Sequence, residues 1–387
     1  MSRRPMKTVI KQDEISFKND KAKSKFFAFF VMFSCVLPTA CSIESGFVKE
    51  KIDLPEHWAL TGQTKSSLVN WWKDYNDPKL NKLIDHVLLK NADLELAIAR
   101  VDESRALLGQ SNAEQYPALS ANIGALKANK LSLPFIGNDG FTQYGFSPFL
   151  SYEIDLWGRL AKATEAARFQ LLSEKENIRT IRLNIIAETV RCYFSILALN
   201  AQISETQRII LNRENAYVLH KKLFSKGSIN EVVLRQSQVS YENARLQKPA
   251  LEERKQIYIN VLHILSGASP SDMFDKSMYE YEGLVLPKLP SLPNLSPEQV
   301  VCGRPDILHA EHLLSSSHAY VSVARAAYLP KLSLWGLLGF HSDIFGNVFE
   351  KGPASAMAGS LGGPIFDFGR TRSIVEASEA RQRQAYI

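Results

Sequence analysis

The stretch Ser147-Pro-Phe-Leu-Ser-Tyr-Glu-Ile-Asp-Leu-Trp-Gly-Arg159 decides how this chain is read. Leu150, Tyr152, Ile154 and Leu156 alternate with Ser151, Glu153 and Asp155. A period of two with one apolar and one polar side is the mark of a strand between two different environments. The alternation stops at Trp157-Gly158, and a helical composition begins at Leu160. The stretch therefore predicts a strand that hands the chain to a long helix.

The same junction returns once. Gly363 to Thr371 repeats an apolar strand end followed by Asp367, an aromatic residue, Gly369 and Arg370. Gly158 and Gly369 lie 211 residues apart, and Asp155 and Asp367 lie 212 apart. Tyr116-Pro117 matches Leu329-Pro330 at 213, and Asn91-Ala92-Asp93-Leu94 matches Arg304-Pro305-Asp306-Ile307 at 213. Separate landmarks at nearly one offset argue for an internal duplication. Each copy reads helix, Pro, strand, loop, strand, Gly-Arg, helix. The predicted strands are 118–128, 143–156, 331–340 and 356–366; alternation alone favours a soluble sheet over an outer-membrane barrel, and in a barrel Leu150, Tyr152, Ile154 and Leu156 would face lipid and Glu153 and Asp155 the lumen. In the third strand Trp335 and Leu337 blur the alternation of Leu332, Leu334, Leu338 and Phe340.

Between the copies, no Pro or Gly occurs from Leu160 to Ser225. A helix of that length would be on the order of 100 Å long at ~1.5 Å per residue. Ile178, Ile181, Ile185, Thr189, Cys192, Ile196, Leu199 and Ile203 follow a 3/4 spacing that predicts a narrow coiled-coil seam. Gly227 breaks the run, and a return helix is expected from about Asn230 to Leu265, bent at Pro249. Ser266-Gly267 ends it with a glycine cap. Upstream, Asp77-Pro78 reads as an N-cap and first helical residue, with Leu80, Leu83, Ile84, Val87 and Leu88 on one face. A second helix follows from Asp93 to about Gln115, with Leu94, Ala97, Ile98 and Val101 as its apolar side.

The first 25 residues carry a net charge of +5, and Phe26 to Ala40 carry none. A basic segment and a short apolar core before small residues predict a secretory signal over 1–40. Leu37-Pro38-Thr39-Ala40-Cys41 then resembles a bacterial lipobox, so Cys41 is expected as an acylated N-terminus, with plain secretion the alternative. The whole chain is +6, which leaves residues 41–387 at about +1, so charge gives no support to nucleic-acid binding. Cys192 and Cys302 alone remain inside the fold, too few for a disulfide framework. His309, Glu311, His312 and His318 lie close in sequence without the further ligands a metal site needs. No phosphate loop or nucleophile elbow occurs, and Glu153 with Asp155 read as a polar pair rather than as glycosidase acids.

Taken in order, these residues resemble the TolC family of outer-membrane factors, in its NodT-type lipoprotein branch. Trp71-Trp72 with Asp77-Pro78-Lys79-Leu80, Asn91 to Leu94 and Glu153 to Arg159 match the family's patterns. So do Phe224-Ser225-Lys226-Gly227 with Val232 to Gln238, Leu265 to Pro270, and Gly303 to Glu311, with Gly303 in place of an Arg. The resemblance implies a mixed fold, a membrane β-barrel on a long α-helical barrel, built as a homotrimer with twelve strands. It implies a passive exit duct of a tripartite efflux system, partnered by a periplasmic adaptor and an inner-membrane pump, with no cofactor and no enzyme activity. Phe224, Ser225, Gly227, Ser228 and Ile229 would form the adaptor-docking tip. Asp155, Gly158, Arg159, Asp367, Gly369 and Arg370 would set the strand-to-helix junctions.

The expected organisation is a signal (1–40), an N-terminal segment with an equatorial helix (41–90), a first repeat (91–267), a Pro-rich linker (268–300) and a second repeat (301–387). Only eighteen residues follow Gly369, so the second hairpin of the family is expected to be missing, through truncation or a broken frame. The alternative functions are a lipoprotein remnant that forms no channel, and a type I protein secretion duct.

Overall fold

The computed structural model describes residues 54–55, 70–128, 141–268, 295–350 and 352–387. The expected signal, Cys41 and most of the Pro-rich linker lie outside them. The described chain divides into two compact units. One comprises Asn112–Ala163 and His318–Arg381, and the other Val48–Ser111, Thr164–Ser317 and Gln382–Ile387.

The first unit holds a four-stranded antiparallel sheet in the order β1-β2-β3-β4. The strands are β1 (Ala118–Ala128), β2 (Phe141–Ile154), β3 (Lys331–Ser342) and β4 (Ala354–Gly362). Ala118 faces Ser151, Ile154 faces Leu332, and Lys331 faces Gly362. The expected second strand ended at 156, but β2 ends at Ile154. The Leu156 N–H instead donates to the Ile154 carbonyl at 2.9 Å, which turns the chain out of the ladder. The fourth strand runs earlier than expected, because Pro364 and its neighbours fall beyond the pairing with β3. Gly363 stands where a Cβ would lie 2.8 Å from the Pro330 Cα, so only glycine fits there.

The second unit is helical. A 3-10 turn (Trp71–Tyr75) leads to α1 (Pro78–Lys90) and α2 (Ala92–Ala113). The long α3 spans Arg159–Ser225, and α4 spans Glu231–Leu265 with Pro249, which has no N–H to donate, inside it. Ion pairs one turn apart, Arg179–Glu176, Arg191–Glu188, Arg208–Glu205 and Arg245–Glu242, line the exposed sides of this hairpin. Exposed pairs of this kind add little to stability. The chain then forms α5 (Pro297–Gly303), α6 (Pro305–Ala326) and, after the sheet, α7 (Arg370–Tyr386). The Ser296 side chain and Gln299 close a capping box at the start of α5.

The core of this unit gathers Trp72, Leu80, Leu83, Ile84 and Val87 with Ile185, Ile186, Val190, Tyr193, Ile196, Ile259 and Leu262. The seam of α3 is thus broader than the sequence spacing predicts. Ile185, Thr189, Cys192, Ile196 and Leu199 are buried as expected, but Ile186, Val190, Tyr193 and Leu197 are buried beside them. Here α3 meets both α1 and α4, and a helix flanked on two sides buries a wide face. Ile178, Ile181 and Ile203 are only half-buried. Along α2 the expected apolar side also shifts, with Ala97, Val101 and Ser104 buried and Ile98 exposed.

Candidate functional site

Three places carry the geometry that function requires: the faces of the sheet, the strand-to-helix junctions and the hairpin turns. Register assigns the faces. Leu119 faces Leu150, which faces Gly336, which faces Met357. One side of the sheet accordingly carries Leu119, Ile123, Phe146, Leu150, Ile154, Leu332, Leu334, Leu338, Phe340, Met357 and Leu361, large apolar residues that in many cases are exposed. A sheet face of this size so apolar is suited to lipid rather than water. At one end of it Tyr144, Phe146, Phe340, Phe345 and Phe349 cluster in edge-to-face and tilted contacts, with ring centroids 5.2–6.1 Å apart. Aromatic clusters of this kind sit at membrane–water interfaces.

The opposite side carries Ser120, Asn122, Gln143, Ser147, Ser151, Ser333, His341 and Ser360. Trp335 and Leu337, which blurred the pattern in the sequence, project to this polar side beside Phe149. The side chains of β3 thus alternate in direction throughout, but Trp335 and Leu337 place a small apolar patch on its polar side.

At the first junction, the two acids do not form a pair facing water. Glu153 holds Arg159 through Nε and Nη2 at 3.0 and 2.8 Å. Asp155 lies past the end of β2 and accepts the Ala161 N–H at 2.8 Å, supplying an acceptor to the open start of α3. Gly158 turns the corner with φ +73. Between them the Trp157 indole donates to the Pro330 carbonyl at 2.7 Å. At the second junction Gly369 has φ +86, and Asp367 accepts the N–H groups of Gly369 and Thr371. These bonds, that of the Thr371 hydroxyl first, hold the Asp367 carboxyl below its ordinary range. Counted from the junction glycines, Pro364 and Phe366 stand where Glu153 and Asp155 do and Phe368 where Trp157 does, so Asp367, one residue nearer its glycine than Asp155, is displaced by one from the match the sequence suggests.

At the far end of α3, Gly227 has φ +72. Its N–H donates to the Phe224 carbonyl and that of Ser228 to the Leu223 carbonyl, at 2.9 and 3.0 Å. This is a Schellman turn, and the Asn230 side chain then caps α4 by accepting from Val233. Phe224, Ser225, Gly227 and Ser228 are exposed and Ile229 is half-buried. A Cβ on Gly227 would meet nothing within 4 Å.

The other end of α4 makes a similar turn in a different setting. Gly267 has φ +61, and a Cβ there would lie 2.3 Å from the Lys90 carbonyl oxygen. Beside it the Asn91 amide donates to the Leu265 carbonyl at 2.7 Å while its oxygen caps α2 at Leu94. Two motifs 174 residues apart in sequence thus lock together. A second lock escaped the sequence reading. Tyr193 donates to Asp77 at 2.7 Å, and the other carboxylate oxygen caps α1 at Lys79 and Leu80. Nothing local marks Tyr193, whose partner lies 116 residues away.

His309 and His312 join α6 to α3. His309 bonds Ser173 through its ring Nδ1 at 2.8 Å, and His312 stacks on Phe169. Asp306 takes Arg304 in a two-pronged pair at 3.0 and 2.6 Å and accepts the Ile307 N–H, and the guanidinium lowers its pKa. Burial pushes the Cys192 thiol up to about 12, with Glu188 adding to the effect.

Residues 83–268 and 296–386 match the family model of outer membrane efflux proteins. The chain is 28% identical over 370 residues to the probable outer membrane lipoprotein SilC of Salmonella typhimurium, covering 92% of this chain and 77% of that one. It is 27% identical over 354 residues to the outer membrane protein OprJ of Pseudomonas aeruginosa, covering 89% and 73%. The crystal structure of the Campylobacter jejuni CmeC outer membrane channel is similar at a TM-score of 0.81 and 25% identity, covering 89% of this chain and 75% of that one. The likeness to these TolC-like channels extends from the sheet to the long helices. On this fold and this match, the chain belongs to the outer membrane efflux protein family and is a channel component of the outer membrane, not an enzyme.

Proposed function

We propose that the Phe224–Ile229 turn docks the periplasmic adaptor, and that the Ser/Asn/Gln side of the sheet lines the water-filled exit. The chain serves as one subunit of a trimeric outer-membrane duct, which works with an adaptor and an inner-membrane pump. The duct itself does no chemistry and passes cargo that the pump has energised.

The observation that carries the reading is the two-sided sheet. Its apolar side can face lipid only if its strands close into a barrel, since open edges leave backbone groups unpaired in hydrocarbon. The exposed Schellman turn is the natural end for a helix-to-helix contact, with small Ser225 and Ser228 beside apolar Phe224 and Ile229. Asp155, Gly158 and Arg159, with Asp367, Gly369 and Arg370, serve to redirect the chain from barrel to helices and do not touch cargo. Cys41 carries the lipid anchor.

Ser228→Trp tests the docking end. Crosslinking to the adaptor should be lost while the trimer and its membrane location persist. Undiminished crosslinking would place docking elsewhere. Cys41→Ser should abolish lipid labelling, and unchanged labelling would move the anchor to another residue.

A further inference from the structure

Among the described residues the sheet has two unpaired edges, the outer sides of β1 and β4. The duplication supplies the geometry that would close them. Ala118 opposite Ser151 in the first hairpin becomes Lys331 opposite Gly362 in the second. β1 thus maps onto β3 by 213 residues and β2 onto β4 by 211. The second value is also the spacing of Gly158 and Gly369, the two left-handed glycines at the junctions. The first is the spacing of Pro117 and Pro330.

The central β2·β3 contact has no counterpart among the described residues of one chain. Its image under the same shifts joins β4 of one copy to β1 of another. Ile154 opposite Leu332 becomes Ile365 opposite Leu119, Leu150 opposite Gly336 becomes Leu361 opposite Ile123, and Phe149 opposite Leu337 becomes Ser360 opposite Gly124. This register passes a test it was not built to satisfy. Leu361 and Ile123 both lie on the apolar side, and Ser360 and Gly124 both on the polar side. A shift by one residue would have crossed the sides. The pairing also extends β4 through Gly363–Ile365, next to Phe366 and Phe368. Ile365, Phe366 and Phe368 are among the most exposed apolar residues of the chain.

One feature of β2·β3 does not survive the mapping. Trp157 donates to the Pro330 carbonyl across that contact. Its image is Phe368 against Pro117 of the next copy, and a phenyl ring has no proton to donate. We infer that a second copy of this chain pairs its β1 with β4 in this register, and that the seam lacks the indole–carbonyl bond holding the contact inside each copy. The inference rests on trimeric assembly, and it adds the register and the asymmetry between seams.

Paired cysteines in the full-length chain test it. Residues directly opposite across antiparallel strands have Cα atoms about 4.5–5.5 Å apart, within disulfide range, and a shift of two residues takes them beyond about 7 Å. Ser360→Cys with Gly124→Cys should give a covalent multimer on a non-reducing gel, and Ala358→Cys with Gly124→Cys should not. The two variants differ at one position, so the natural thiols cannot produce the difference. A heat-resistant trimer that crosslinks only in the second variant, or in neither, refutes the register while leaving assembly intact. Absence of any trimer in the unmodified chain would instead refute the reading on which it rests. Phe368→Trp should raise the temperature at which the trimer dissociates, and Phe368→Leu should not. An unchanged or lowered temperature for Phe368→Trp overturns the missing bond.

Discussion

Gly227 and Gly267 end the two long helices with similar positive φ and equivalent hydrogen bonds, and replacing each by alanine separates backbone strain from steric overlap. A left-handed non-glycine residue costs roughly 1–2 kcal/mol, and both variants carry that term. At Gly227 nothing more is added, because no atom lies within 4 Å of the new methyl group. At Gly267 the methyl carbon would sit 2.3 Å from the Lys90 carbonyl oxygen. That atom is backbone and cannot rotate away, so about 1 Å of separation must come from parting α1 from the end of α4. The movement breaks the bond from Asn91 to the Leu265 carbonyl. Losing it removes about 0.5–1.5 kcal/mol and leaves half-buried polar groups short of a partner. The expected destabilisation is about 3–5 kcal/mol for Gly267→Ala, against about 1–2 for Gly227→Ala. Amide hydrogen exchange at the two helix ends reads this directly. Exchange at Ser266–Ala268 and in the first turn of α2 should accelerate by roughly 10²-fold or more in the first variant, taking 1.4 kcal/mol per tenfold. Exchange at Lys226–Ser228 should rise by no more than about 30-fold in the second. Equal acceleration at the two sites would refute the packing argument.

The assignment of sheet faces predicts that Ile123→Lys lowers the yield of trimer in the outer membrane, by about 2–4 kcal/mol in insertion free energy near mid-bilayer, whereas Asn122→Lys is tolerated. Equal yields on fractionation would contradict it. In the folded chain Cys192 should resist alkylation at pH 8, since its thiol titrates near 12, while exposed Cys302 should react. Mass spectrometry of the labelled protein distinguishes the two, and rapid labelling of Cys192 would show that the α3 core is open. Asp306 has a folded pKa below its unfolded value of about 4, so its contribution is full above that value and is lost as pH falls through the lower one. Arg304→Ala should remove this acid dependence at the start of α6, measured by hydrogen exchange between pH 5 and 3. Persistence of the same dependence would mean that another group carries it.

The strands were legible because each side meets one kind of surroundings. β1 follows the alternation of Leu119, Ala121, Ile123 and Ala125. The reading slipped where a residue with the right polarity has another task. Asp155 continues the alternation past the end of β2 but serves the start of α3. It slipped again where environment changes along one element. The 3/4 spacing of α3 is a seam where one partner lies alongside, and becomes a broad face where α1 and α4 both close on it. The Tyr193–Asp77 and Asn91–Leu265 locks join distant segments, and no local pattern announces such a contact. The turn at Gly227 was legible because the demand there is local, a glycine placed where a helix must stop.

The two open edges of the sheet also bear on heredity. Each copy offers one β1 edge and one β4 edge, so a copy damaged at either spoils the ring it enters and withdraws two sound copies with it. In a cell making sound and damaged chains in equal amounts, random assembly in threes leaves only about one ring in eight wholly sound. Edge lesions should therefore behave as dominant, whereas a chain that fails to fold never enters a ring and should behave as recessive.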